Sequence, residues 1–265
     1  MKKKILLLFI FCVNITFALD NKLVVIIPSY NNTRWYQRNL ASVFLQKYDN
    51  YRVIYIDDAS EDDTYNLVKN YINTHSMQGR VTLIKNETNC GAMANWYHAV
   101  RMCADDEIIV SLDGDDWFFN EHVLERIARE YENTDTWMTY GSFISYPEGE
   151  VGFAQQIPEW VIDQQAYRRF KFVSTHLRTF YAWLFKKIDI SDFYYKNKEF
   201  LPMVCDQALM FPMLEMAANH AHFISDILYV YNRSNPLSDE KVDLLLSYNC
   251  KTVIRKRTVY KKYEQ

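Results

Sequence analysis

Short, uninterrupted runs of apolar β-type residues recur along this chain, and three of them stop abruptly at turn residues or acids. Leu23-Val24-Val25-Ile26-Ile27 ends at Pro28-Ser29-Tyr30-Asn31-Asn32. Tyr51-Arg52-Val53-Ile54-Tyr55-Ile56 ends at Asp57-Asp58-Ala59-Ser60. Ile108-Ile109-Val110-Ser111-Leu112 ends at Asp113-Gly114-Asp115-Asp116, three carboxylates in four positions. A strand without polar alternation is covered on both faces, the condition of a parallel sheet packed between helices. The intervening segments agree. From Trp35 to Gln46, Leu40, Val43, Phe44 and Leu45 recur at helical spacing, and Tyr65, Leu67, Val68 and Ile72 do so after the second run.

The alternation continues. Val81 to Ile84 predicts a third strand, Asn86 to Gly91 a polar turn, and Ala92 to Cys103 a helix. After the fourth strand, Glu121 to Tyr131 is helical and Trp137 to Tyr140 is a fifth strand. Strands alternating with helices imply an α/β fold, with a mostly parallel central sheet flanked by helices and right-handed crossovers. Such sheets bind ligands outside the carboxyl ends of their strands. The polar ends of the first, second and fourth strands therefore converge on one rim.

Beyond Gly141 the pattern weakens. Pro147, Gly149, Gly152 and Pro158 mark a long loop region up to Thr175. Leu177 to Ile188 is expected to be helical, as is Ala208 to Ala218, where Pro212 imposes a kink or a later start. His222 to Tyr231 suggests a closing strand or hairpin, and Lys241 to Tyr263 a C-terminal helix. No internal repeat and no linker between two cores is visible. Residues 22–145 and 146–265 thus read as two halves of one domain.

The first residues stand apart. Lys2-Lys3-Lys4 precedes an apolar stretch from Ile5 to Val13, and Thr16-Phe17-Ala18 resembles a small-x-Ala cleavage site. Residues 1–18 are read as a signal peptide or a short membrane anchor, since the run is shorter than the roughly 20 residues a spanning helix needs. Either reading sends the protein to the secretory pathway or outside the cell, and the second associates it with a membrane. Four cysteines follow the leader, Cys90, Cys103, Cys205 and Cys250, with no metal-ligand spacing; free, buried thiols are expected. The net charge of −3 comes without a basic stripe, which excludes a nucleic-acid face.

The run Val24 to Asn31, the stretch Ile56-Asp57-Asp58-Ala59-Ser60-Glu61-Asp62, and Leu112-Asp113-Gly114-Asp115-Asp116 together resemble the nucleotide-sugar half of the family 2 glycosyltransferases, with the GT-A fold and its DxD motif. The resemblance covers roughly residues 22 to 145. It implies an inverting transferase of the hexosyltransferase kind, with a nucleotide-sugar donor, a UDP-sugar foremost, and a glycan, lipid or protein acceptor. Pro28, Ser29 and Tyr30 would line the base, and Asp58 would accept from the uracil imide. Asn89, Gly91 and Asn95 would lie near the nucleotide. Asp113 would face the ribose, Gly114 would leave room for the sugar, and Asp115, or Asp116 in its place, would hold Mn²⁺ or Mg²⁺. Helix capping is an alternative account of Asp57 and Asp58. Carboxylates and phosphate oxygens are the ligands such hard cations take.

The general base lies past the clear match. Asp206, in Cys205-Asp206-Gln207 before a predicted helix, fits the family's position for it, although the family's usual preceding acid is here Cys205. His176 and Arg178 are candidates for contact with the diphosphate or the acceptor. The first loop lacks glycine, which argues against nucleotidyltransferases and Rossmann dehydrogenases. The competing expectation is an exported, non-catalytic sugar- or nucleotide-binding protein on the same scaffold.

Overall fold

The computed structural model describes residues 21–236 and 239–264, so the leader lies outside the described residues. Strands β1 (Leu23–Ser29), β2 (Tyr51–Asp57), β3 (Val81–Lys85) and β4 (Ile108–Ser111) alternate with helices α1 (Tyr36–Phe44), α2 (Thr64–Thr74) and α3 (Ala92–Arg101). A short β5 (Trp117–Phe118), α4 (Val123–Glu130), β6 (Met138–Tyr146), α5 (Glu159–Asp163), β7 (Thr175–Tyr181), α6 (Ala182–Lys186), α7 (Cys205–Ala217) and β8 (Ala221–Asn232) follow. Helices α8 (Asp239–Val242) and α9 (Leu244–Arg255) come last. The eight strands form one sheet in the order β3-β2-β1-β4-β7-β6-β8-β5.

Alternate residues of β1 enter opposite cores, which explains its unbroken apolar run. Val24 and Ile26 pack with Met93 and Trp96 of α3 and, farther along the same layer, Met210 and Leu214 of α7. Leu23, Val25 and Ile27 pack with Leu40 and Val43 of α1, Val68 and Ile72 of α2, and Leu124 and Ile127 of α4. All five side chains are at most 1% exposed. Full burial of each such residue is worth about 1.5–3 kcal/mol relative to exposure.

The α/β class is as expected, but the sheet is mixed. β1, β2, β3 and β4 run parallel, whereas β7 is antiparallel to both β4 and β6, and β5 is antiparallel to β8. The difference traces to residues 175–181. Where a helix was expected from Leu177 to Ile188, residues 175–181 form a central strand buried on both faces, and only Ala182–Lys186 is helical. A spacing of three puts Leu177 and Phe180 on one face of a helix but on opposite faces of a strand, and in β7 they enter opposite cores, paired to β4 and β6 on either side. β6 also runs on to Tyr146, well into the predicted loop. α7 begins at Cys205 and holds Pro212 in its interior, and the C-terminal helix ends at Arg255 rather than Tyr263. Among the described residues, Cys90, Cys103, Cys205 and Cys250 form no disulfide; Cys103 and Cys250 are buried, whereas Cys90 is exposed. No helix among the described residues is long and apolar enough to cross a membrane.

Candidate active site

The parallel strands β1, β2 and β4 end together, and their loops are stitched to one another. After β1, Ser29 Oγ accepts from Asn32 Nδ2 (2.9 Å) and from the Tyr55 hydroxyl of β2 (2.8 Å). Asn31 sits in the left-handed region at φ 52°. Its backbone N–H donates to Ser60 Oγ (2.9 Å) and its side-chain oxygen accepts from the Glu61 N–H (2.9 Å). Tyr30 is half-buried at the head of this turn, and Pro28 and Ser29 are the last residues of β1.

Asp58 organises the next loop. Its carboxylate accepts from the backbone N–H groups of Cys90 (2.9 Å) and Gly91 (2.8 Å) and from Asn86 Nδ2 (2.7 Å). Gly91, at φ 82°, is the N-cap of α3. Asn86 also donates to Asn95 Oδ1 (2.8 Å), while the Asn95 amide nitrogen is buried with no acceptor among the described residues. Asn89 is exposed at the tip of the turn.

The acidic loop after β4 is clamped by α1: the Asn39 amide donates to the carbonyls of Asp113 (3.0 Å) and Asp116 (2.8 Å). Gly114 N–H donates to the Pro28 carbonyl (3.1 Å). A Cβ on Gly114 would lie 2.7 Å from Asn32 Nδ2, 2.8 Å from Ser29 Cβ and 2.9 Å from the Pro28 oxygen. This corrects the expectation that Gly114 leaves room for a sugar; the room is taken by the β1 loop, which the glycine lets pass.

The three acids have different surroundings. Asp116 is buried and accepts from the Tyr229 hydroxyl (2.6 Å) and the Asn232 N–H (2.7 Å) of β8. Burial, then the charges of Asp115 and Asp113, push its carboxyl well above the usual range. Asp115 is partly exposed, and its carboxylate accepts from Asn235 Nδ2 (2.7 Å). Asp113 lies with Oδ2 3.7 Å from His176 Nε2. Burial works to raise its pKa, but His176 and the Arg178 charge overcome this and hold it below the usual range.

His176, on β7, stacks on the Tyr229 ring with centroids 4.5 Å apart. Its Nδ1 is 2.8 Å from Thr175 Oγ1, and Arg178 Nη2 donates to Nε2. Burial, then the Arg178 charge, lowers its pKa to about 4 against the pull of Asp113, so the ring is neutral at pH 7. Asp206 lies in the first turn of α7, after Val204 at φ 63°, and its charge is felt by both His176 and Arg255.

The residues present fit a divalent cation. Asp113, Asp116 and His176 bring ligand atoms within 4.8 Å of one another, and the crowding that raises Asp116 is an excess of negative charge that a cation would relieve. Carboxylates with one imidazole suit Mn²⁺, and carboxylates alone suit Mg²⁺ as well. The sequence pointed to Asp115, or Asp116 in its place, as the metal ligand; the geometry groups Asp116 with Asp113 and His176, while the Asp115 carboxylate accepts from Asn235. Sequence reasoning missed Asn39, Asn86, Tyr229 and Asn232. Each has a partner far along the chain, from 28 positions for Asn86 and Asp58 up to 117 for Asn232 and Asp115, so no local pattern marks them.

Residues 24–193 match the family model described as Glycosyl transferase family 2. The chain is 33% identical over 122 residues to EpsE of Bacillus subtilis, named as a glycosyltransferase, a match that covers 44% of this chain and 43% of EpsE. It is 25% identical over 184 residues to WfgD of Escherichia coli, named as a UDP-Glc:alpha-D-GlcNAc-diphosphoundecaprenol beta-1,3-glucosyltransferase, covering 63% of this chain and 70% of WfgD. Among solved structures, residues 1-349 of TarS from S. aureus superpose with a TM-score of 0.62 at 22% identity, over 80% of this chain and 60% of that one. The mannosyltransferase PcManGT from Pyrobaculum calidifontis, solved with GDP-Man and Mn²⁺, has a TM-score of 0.56 at 18% identity, over 79% of this chain and 56% of that one. The chain thus spans less than half of EpsE and three-fifths of the TarS fragment. The structural likeness is one of fold, GT-A. Because the family model covers more than half of the chain, and the strand-end motifs that led to the same family meet on one rim, this protein belongs to glycosyl transferase family 2.

Proposed function

We propose that this protein is an inverting transferase that moves a sugar from UDP to a hydroxyl of a glycan, lipid or protein acceptor, with a divalent cation at the acidic loop and Asp206 as general base. The observation that carries it is the meeting of the Asp58-anchored turn, the acidic loop and His176 on one rim. The relatives add support: TarS has been solved with UDP and with UDP-GlcNAc, and WfgD is named for a UDP-glucose donor.

In this reading Tyr30 stacks on the base, Pro28 and Ser29 border it, and Asp58 accepts from the uracil imide while it holds the 86–91 turn. Asn89, Gly91 and Asn95 border the nucleotide. Asp113, Asp116 and His176, with Asp115 beside them, would hold Mn²⁺ or Mg²⁺, which supplies Lewis-acid charge to the leaving diphosphate. The Asp206 carboxylate takes the proton of the acceptor hydroxyl. The acceptor oxygen forms its bond to the anomeric carbon as the bond from that carbon to the diphosphate oxygen breaks. The electron pair leaves with UDP, and the configuration inverts.

The test is UDP release from UDP-glucose and UDP-GlcNAc with and without Mn²⁺. Release should need the cation. Asp206→Asn should lower turnover by about 10²–10⁴-fold while donor binding stays intact. Asp115→Asn should weaken metal-dependent donor binding. UDP binding without metal-dependent release from any UDP-sugar would favour a non-catalytic binding protein.

A further inference from the structure

His176 Nε2 carries one lone pair, and two partners need it. Arg178 Nη2 donates to it. Nε2 is also the ring nitrogen that faces Asp113, 3.7 Å away, in the group Asp113, Asp116 and His176. The other nitrogen, Nδ1, is occupied by Thr175 Oγ1 at 2.8 Å. A neutral imidazole with its proton on Nδ1 presents a single acceptor site. An N–H donor and a coordinated cation therefore exclude each other at this atom.

Arg178 is not settled in its present seat. Its side chain is among the buried charged groups of the protein, 8% exposed, and its Nε–H has no acceptor among the described residues. A buried guanidinium with an idle N–H, whose charge helps hold the Asp113 carboxyl below the usual range, acts as a substitute cation. The idle donor also gives it a reason to leave when a better acceptor arrives. A guanidinium fork matches phosphate oxygens, and its charge does not depend on pH in the working range.

We propose that Arg178 is the resident counter-charge of the acidic loop in the ion-free protein. A divalent cation entering at Asp113, Asp116 and His176 displaces its guanidinium from Nε2, and the released fork takes the diphosphate of the donor. Metal and nucleotide are thereby coupled: each binds more tightly once the other is present, and by linkage the factor is the same in both directions. This inference rests on the metal site and on the nucleotide-sugar donor proposed above.

The experiment titrates the full chain with Mn²⁺ alone, read by the paramagnetic signal of the free ion, and with UDP by calorimetry, with and without Mn²⁺. The variants are Arg178→Met, which keeps the volume without the donors, Arg178→Gln, and His176→Ala. Both Arg178 variants should bind Mn²⁺ several-fold more tightly than the parent, because the competing guanidinium charge is gone, and Arg178→Met, which also lacks a donor for Nε2, should bind it at least as tightly as Arg178→Gln. With Mn²⁺ present they should lose about 10–100-fold in UDP affinity, the effect of removing a hydrogen-bonded charged contact. Without Mn²⁺ their UDP affinity should match the parent, so the coupling factor shrinks. His176→Ala should weaken Mn²⁺ binding. Weaker Mn²⁺ binding in folded Arg178 variants would overturn the displacement, and so would an unchanged coupling factor. A parent chain that binds no Mn²⁺ would instead remove the metal site itself, and the inference with it.

Discussion

The phenol of Tyr229 on β8 donates to the Asp116 carboxylate at 2.6 Å, across 113 positions of chain. One short bond thus joins the sheet's far side to the acidic loop and supports a carboxylate that burial and two neighbouring acids destabilise. Tyr229→Phe keeps the ring that stacks on His176 and removes the donor. It should cost about 1–3 kcal/mol in chemical unfolding, the penalty of an under-paired buried group. An unfolding midpoint equal to the parent's would show that the loop does not depend on this bond.

Gly114 is fixed by close approach, not by its backbone angles. Gly114→Ala places a methyl within 3 Å of Asn32, Ser29 and the Pro28 carbonyl, one of them backbone. The loop must shift, at a cost of about 1–3 kcal/mol for overpacking. UDP affinity should fall with it, since the loop carries the acids. Gly79→Ala is the control, because its Cβ meets nothing within 4 Å. Equal stability of the two variants would contradict the packing account.

The buried imidazole makes stability depend on pH. The pKa of His176 is lowered to about 4 in the folded state, chiefly by burial, from an unfolded value near 6.5. Between those values the unfolded chain binds the extra proton. Stability is therefore fully present above pH 6.5 and is lost as pH falls towards 4, by up to about 3 kcal/mol for a shift of this size. Urea unfolding in metal-free buffer should show this slope, and His176→Gln should flatten it. A slope of the same size in the variant would assign it to other groups.

Arg168 and Glu215 form a two-pronged buried pair, 2.5 and 2.8 Å, with side chains 3% and 0% exposed. Arg168 also donates to the Ile254 carbonyl, and Glu215 accepts from the Tyr260 N–H, so the pair ties the C-terminal segment to α7, the helix of Asp206. Burial raises the Glu215 pKa, and Arg168 opposes the rise. Arg168→Met should destabilise by about 3–5 kcal/mol by leaving a buried acid alone, and Arg168→Met with Glu215→Leu should recover much of it. A double variant no better than the single one would mean that the backbone contacts dominate.

Much of the first half was legible in the residues. β1 to β4 and their helices follow from apolar period and turn chemistry, signals carried by neighbours within a few positions. Asp58 and the acids Asp113 to Asp116 stood out because they end those strands. The second half was less legible. Leu177, Phe180 and Tyr181 have helical spacing yet lie in a strand, and Asn39 and Asn232 look like ordinary polar residues until their partners are known.

The chain itself thus determined the α/β class, the rim and the acids on it, since burial pattern and strand ends are local properties. Tertiary structure alone decided that β7 lies antiparallel between β4 and β6, that Gly114 yields to Pro28, and that Asp116 groups with Asp113 and His176. Each of those outcomes depends on the approach of segments separated by tens of residues or more. Distance along the chain carries no record of such approaches, whereas packing and hydrogen-bond satisfaction in the folded state select among them.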